Sequence, residues 1–207
     1  MFSMSRVARE FLEAFVLAVV VFLVIQISIQ NFKVEGSSMH PTLEEDQYLL
    51  VNKLVYFRLD LERLSRMIPF WKVDKPSERF AIHPPKRGDV IVFRFPKDPT
   101  RDFVKRVVGL PGEHVEVRQG EVYINGNRVP LPEPYVTEHD RSNMEPIYLM
   151  DKEYFVLGDN RAHSNDSRAW GPVPEPNMVG KVWFVYWPVK KWNVLHSIAL
   201  PFAGVSR

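Results

Sequence analysis

The segment Val115–Gly126, VEVRQGEVYING, decides the fold class. Val115 and Val117 alternate with Glu116 and Arg118, the period of two that gives a strand one buried and one wet face. Gln119-Gly120 and Asn125-Gly126 both read as hairpin turns. The second suits a type I′ turn, whose two central residues need positive φ. Working outward, Asp89–Phe95 (DVIVFRF) is strand-like and stops at Pro96, and Phe103–Leu110 (FVKRVVGL) stops at Pro111-Gly112. Tyr154–Leu157 and Lys181–Trp187 supply further strands. Leu49–Phe57 (LLVNKLVYF) is rich in β formers, and a polar, proline-punctuated insertion follows it through Pro85. Short strands with turns every 8 to 12 residues or so argue for an antiparallel, all-β domain. Residues 112–152, richer in hairpin and polar signals, read as a small β lobe inserted into a core made of 33–111 and 153–207.

The amino-terminal region is different. From Ala14 to Phe32, AFVLAVVVFLVIQISIQNF, no residue carries a charge. As a helix this run covers about 28 Å, close to the hydrocarbon thickness of a bilayer. It is longer than the apolar region of a typical secretory signal, and no small-x-small cleavage site follows it. An uncleaved transmembrane helix over 14–32 is therefore expected. Arg6 and Arg9 precede it, which places residues 1–13 in the cytoplasm and everything after Lys33 on the far side.

A net charge of only +2, with 27 basic residues scattered among 25 acidic ones, gives no electrostatic case for nucleic acid. The absence of cysteine excludes disulfides, thiolate metal sites and a cysteine nucleophile. The six histidines are isolated from one another and have no metal-ligand spacing, so no metal or other cofactor is expected.

Three local patterns carry possible chemistry. Gly36-Ser37-Ser38-Met39-His40-Pro41-Thr42 follows the apolar run and by itself reads as a linker. In Phe103–Gly109 a strand would put Lys105 on one face with Phe103 and Val107, and Arg106 on the other with Val104 and Val108. Two basic residues in so apolar a strand imply that at least one is partly desolvated, although snorkelling from an edge strand is the commoner explanation. Gly158–Arg168 (GDNRAHSNDSR) alone is a polar loop of turn formers.

Together with the preceding apolar run, the Arg87-Gly88-Asp89-Val90 turn, Lys105–Glu113 and Gly158–Val173, these patterns resemble the conserved boxes of the bacterial type I signal peptidases in order and spacing. The likeness spans about 170 residues and is weakest in the Tyr56–Pro85 insertion and the Gln119–Met150 lobe. It implies a membrane-bound serine endopeptidase with a Ser-Lys dyad that removes signal peptides from exported preproteins. Ser38 matches the nucleophile, Lys105 the general base, and Ser164 the hydroxyl that orients the lysine. Asp159, Asp166 and Arg168 match supporting positions, and Phe32, Val34, Met39, Phe103 and Val104 match residues lining shallow substrate pockets for Ala-x-Ala sites. One departure stands out: some members have serine two positions before the nucleophile, as an oxyanion donor, where this chain has Gly36.

The dyad makes a physical demand. A lysine of ordinary pKa is neutral in only about 4 molecules in 10,000 at pH 7, so it needs burial to become a base. The rival is a Ser-His-Asp arrangement using His163, which the resemblance gives no role and which reads as a surface-loop histidine. Other serine–lysine peptidases and a catalytically silent membrane-anchored binding module are the alternatives. Among the first, a self-cleaving regulator would need a DNA-binding domain and a cleavable segment, neither of which reads out of this sequence, and the second does not account for Ser38, Lys105 and Ser164 together. The Trp-rich tail (Trp183, Phe184, Trp187, Trp192) suits a lipid interface, with core packing the favoured reading for Trp183 and Phe184.

Overall fold

The computed structural model describes residues 3–56, 58–60, 78–80 and 83–196, so most of the insertion before Pro85 lies outside the described residues. Helix α1 (Ser3–Ser28) leads into β1 (Ile29–Lys33) with no loop between them. Here the structure corrects the expected span of 14–32: the helix starts earlier and ends at Ser28. The Ser28 hydroxyl turns back onto the Val24 carbonyl, and the Ser28 carbonyl accepts from Lys53 N at 2.8 Å. From Ile29 the backbone pairs with β2 (Tyr48–Asn52), in register from Ile29 opposite Asn52 to Lys33 opposite Tyr48. The α1 segment Arg6–Ser28 is long and apolar enough to cross a bilayer, and its apolar side chains lie exposed all round.

The main sheet is antiparallel, in the order β1-β2-β12-β5-β6-β10-β11, with β13 (Asn193–Val194) paired to β12 (Met178–Trp187). Its centre is the hairpin of β5 (Val90–Phe95) and the twelve-residue β6 (Asp98–Gly109). Val90 and Val92 pack on one face with Val34, Met39, Leu43 and Val51. Ile91 and Phe93 pack on the other with Tyr56, Val107, Tyr154 and Val156. Burial on both faces explains why this strand reads as an unbroken apolar run rather than an alternation.

Between β6 and β10 (Glu153–Leu157) the chain builds a separate three-stranded sheet, β8-β7-β9, from β7 (His114–Arg118), β8 (Glu121–Ile124) and β9 (Met144–Tyr148). Its own core joins Val115, Val117, Val122 and Ile124 to Val108, Phe155 and Leu157 of the main sheet. Gln119 and Gly120, both at positive φ, close the β7–β8 hairpin with Arg118 opposite Glu121. Asn125 and Gly126 also have positive φ, but the chain beyond them forms no third ladder. Pro130, Pro132 and Pro134 withhold the donors a strand would need, so the chain returns irregularly over β8, with Leu131 N on Val122 O at 2.7 Å. A two-stranded ribbon of β3 (Arg58–Asp60) and β4 (Glu78–Phe80), the short β11 (Val173–Pro174) and helix α2 (Ser167–Trp170) complete the described elements of this kind. At the carboxyl end Val182 and Val185 face the core, while Trp183, expected inside, is half exposed along with Trp187 and Trp192.

Candidate active site

β10 pairs with β6 only between Arg106 and Gly109, so among the described residues the outer edge of Phe103–Lys105 is left without a strand. A cleft of about 430 Å³ lies along this edge. Phe32, Val34, Phe103 and Val104 line it, and Leu49 and Val92 contribute from the core. Lys33, Glu35 and Asp102 add charge, and His163 and Asn165 also line the cleft. Met39 does not line it. Only 1% exposed, it is packed in the core with Leu43 and Val51, because the turn that presents Ser38 to the cleft sends the next side chain inward.

Ser38 and Lys105 meet here. Lys105 Nζ lies 2.7 Å from Ser38 Oγ and donates to the Val104 carbonyl at 2.9 Å, curling over the open strand edge. The Phe103 ring lies under the amine, its centroid 5.5 Å from Nζ. Lys105 is 4% exposed, and burial pulls its pKa down to about 8, against the upward pull of Asp166 and Asp159. Roughly one molecule in ten then carries a neutral amine at pH 7.

The turn before Ser38 depends on Gly36, whose φ is +79°, in the left-handed region that side chains avoid. Nothing lies within 4 Å of where a Cβ would stand, so backbone conformation rather than space accounts for glycine here. Behind Ser38 runs the loop 158–160. Asn160 N donates to Ser38 O at 3.1 Å and Asn160 Nδ2 to Ser37 O at 3.3 Å. Gly158 sits so close that a Cβ would run into Ser164 Oγ and the Ser38 carbonyl.

The supporting residues form two networks rather than one. Arg106, 1% exposed, donates Nε to Asp159 Oδ1 at 2.8 Å and Nη2 to Asp159 Oδ2 at 2.6 Å. The same guanidinium reaches Gly88 O and Thr42 Oγ1, and Thr42 in turn donates to Asp159. In the second network Asp166 caps α2, takes Arg168 Nε at 2.8 Å and accepts Gly158 N at 3.1 Å. Arg168 extends to Asp140 and to the Arg161 carbonyl. Ser164 Oγ is buried beside Gly158 with no hydrogen-bond partner among the described residues, and Lys105 bonds Ser38 and Val104 rather than Ser164. His163 is exposed, and its Nδ1 bonds Asn160 rather than Ser38.

Sequence reasoning missed Thr42, Asn160, Asn165 and the cleft position of His163. Arg106 carried a signal, its place in an apolar strand, but no role could be read from it.

The family described as signal peptidase, peptidase S26, matches residues 8–187. A probable signal peptidase I-1 of Synechocystis is 36% identical over 171 residues, covering 79% of this chain and 74% of the relative. Signal peptidase I of Bacillus caldolyticus is 36% identical over 176 residues (78% and 81%), and signal peptidase IB of Staphylococcus aureus 30% over 193 (84% and 86%). The crystal structure of a signal peptidase I from Enterococcus faecalis is 35% identical, covers 49% of this chain and 98% of that one, and gives a TM-score of 0.43. With the family match running from α1 to the end of β12, this chain belongs to the signal peptidase family, peptidase S26, and is a serine peptidase.

Proposed function

We propose that this peptidase removes signal peptides from exported preproteins by a Ser-Lys dyad, while α1 holds it in the cell membrane with the β domain on the extracytoplasmic side. The contact of a buried Lys105 amine with Ser38 Oγ at 2.7 Å carries the mechanistic part of this reading. The neutral amine takes the Ser38 proton as Oγ attacks the scissile carbonyl, then returns it to the leaving amine. The Ser164 hydroxyl, buried and unpartnered among the described residues, would accept from the amine in the working enzyme and turn its lone pair toward Ser38, a bond not formed here. The Ser38 N–H supplies one oxyanion donor.

The substrate adds as a strand along the open edge of Phe103–Lys105, with alternate side chains in the apolar cleft. Shallow walls of Phe32, Val34 and Val104 favour small residues, in keeping with Ala-x-Ala sites. An apolar exposed helix and the exposed Trp187 and Trp192 support contact with a bilayer and its interface.

The deciding experiment incubates the full chain and Ser38→Ala with a preprotein bearing an Ala-x-Ala site, identifying products by mass spectrometry. Cleavage after the second alanine by the parent alone is expected. A bulky or charged residue at that position should abolish it, and efficient cutting after an aromatic residue would overturn the specificity.

A further inference from the structure

The loop 158–160 that backs Ser38 is gripped by two arginines, and each arginine is held by the segment Leu131–Val136 of the lobe. Glu133 takes Arg161 in a two-pronged pair, Oε2 from Nη1 at 2.8 Å and Oε1 from Nη2 at 2.5 Å, with side-chain exposures of 3% and 1%. Arg161 Nε then donates to Gly158 O at 3.0 Å. Tyr135 donates its hydroxyl to Glu133 Oε1 at 2.8 Å and lays its ring 4.0 Å from Arg106 Cζ, over the guanidinium that holds Asp159. Pro132 and Pro134 flank Glu133 and limit the freedom of its backbone.

We propose that Glu133 and Tyr135 are positioning residues for the Ser38–Lys105 pair, acting through Arg161 and Arg106. The inference rests on the dyad reading above. The lobe is therefore part of the catalytic apparatus, although no lobe residue lines the cleft.

A purely stabilising role fits less well. Buried ion pairs can often be replaced by apolar residues of similar volume without loss of stability, whereas a forked guanidinium–carboxylate contact fixes direction. What it fixes here is the Gly158 carbonyl, on a residue packed against both Ser38 O and Ser164 Oγ. A displacement of about 1 Å at such a site can cost about 10² in rate.

The test uses the full chain in detergent, with preprotein kcat and KM measured beside Tm. In Glu133→Leu/Arg161→Met both charges are removed together. The expected result is a somewhat lower Tm, because the Tyr135 hydroxyl and the Gly158 carbonyl lose their partners, an unchanged KM because the cleft is intact, and kcat lower by about 10²-fold. Glu133→Asp keeps the charge but shortens its reach, so kcat should fall there too. If the double variant folds and has kcat within about twofold of the parent, the inference is wrong. If the Glu133 variants do not fold, Tyr135→Phe decides: it removes one hydroxyl, and a several-fold loss of kcat at constant KM is expected, parent-like kcat overturning the proposal. Ser38→Ala runs alongside, since activity in that variant would overturn the dyad itself rather than the lobe's part in it.

Discussion

Lys105 Nζ sits 2.7 Å from Ser38 Oγ across 67 positions of sequence, and the second bond of that amine goes to the carbonyl of the adjacent Val104. The lysine is thus tied to the strand edge where a substrate would bind.

With the Lys105 pKa drawn down to about 8 by burial, activity should climb about tenfold per pH unit below 8 and level above it. Lys105→Arg keeps charge and bulk but cannot offer a neutral base, so it should lose about 10²–10⁴ in rate. His163→Ala should retain most activity. Preprotein turnover from pH 6 to 10 decides, and an active Lys105→Arg with an inactive His163→Ala would make histidine the base.

Phe103 acts on Lys105 in two opposed ways. Its ring excludes water, which lowers the lysine pKa, and its π face attracts the ammonium, which raises it. Phe103→Leu keeps the cover and loses the attraction, so the alkaline rise in activity should move to lower pH. Phe103→Ala admits water and should move it higher. Matching shifts in both variants would refute this division.

Burying Lys105 costs stability. Its folded pKa lies below the unfolded value near 10.5, so the penalty is full below about pH 8 and disappears as pH rises toward 10.5. Lys105→Met should therefore be inactive yet more stable at pH 7 by about 1–3 kcal/mol, after allowing for the lost hydrogen bonds. Denaturant unfolding at pH 7 and pH 10 checks this, and a gap that widens with pH would contradict it.

Two glycines separate packing from catalysis. A Cβ at Gly109 would press on Val115, Leu149 and Phe155, costing about 1–3 kcal/mol while leaving Ser38 and Lys105 in place. A Cβ at Gly158 would press on the Ser38 carbonyl and Ser164 Oγ. Gly109→Ala should lower Tm with little change in kcat, and Gly158→Ala should lower kcat by about 10²-fold. Equal kcat losses in the two would remove the distinction.

Strands whose apolar residues run in register with a buried face were legible, β5 and β10 above all. β1 was not, because Ile29–Lys33 continues the apolar run of α1 with no glycine or proline to mark the change. Only a strand 15 residues further on pairs with it and ends the helix. The meeting of Ser38 with Lys105 has no local signature and came from the family likeness. Met39 shows the limit of that likeness, since whether a side chain beside Ser38 faces cleft or core depends on the turn angles at Gly36 and after. Glu133 and Tyr135 sit among prolines, where no periodicity marks a buried face. Their burial comes from Arg161 and Arg106, which arrive from distant segments.

β6 writes different instructions in its alternate letters. Phe103, Lys105 and Val107 look to one side, and Val104, Arg106 and Val108 to the other, each facing a different set of partners. A slip of a single place against β5 would trade the lysine for the arginine. The amine would face Asp159, where it would stay charged, and a guanidinium that never releases its proton would face Ser38. A substitution along this strand disturbs one face at a time, but a one-residue insertion or deletion within it would undo fold, specificity and chemistry in the same event.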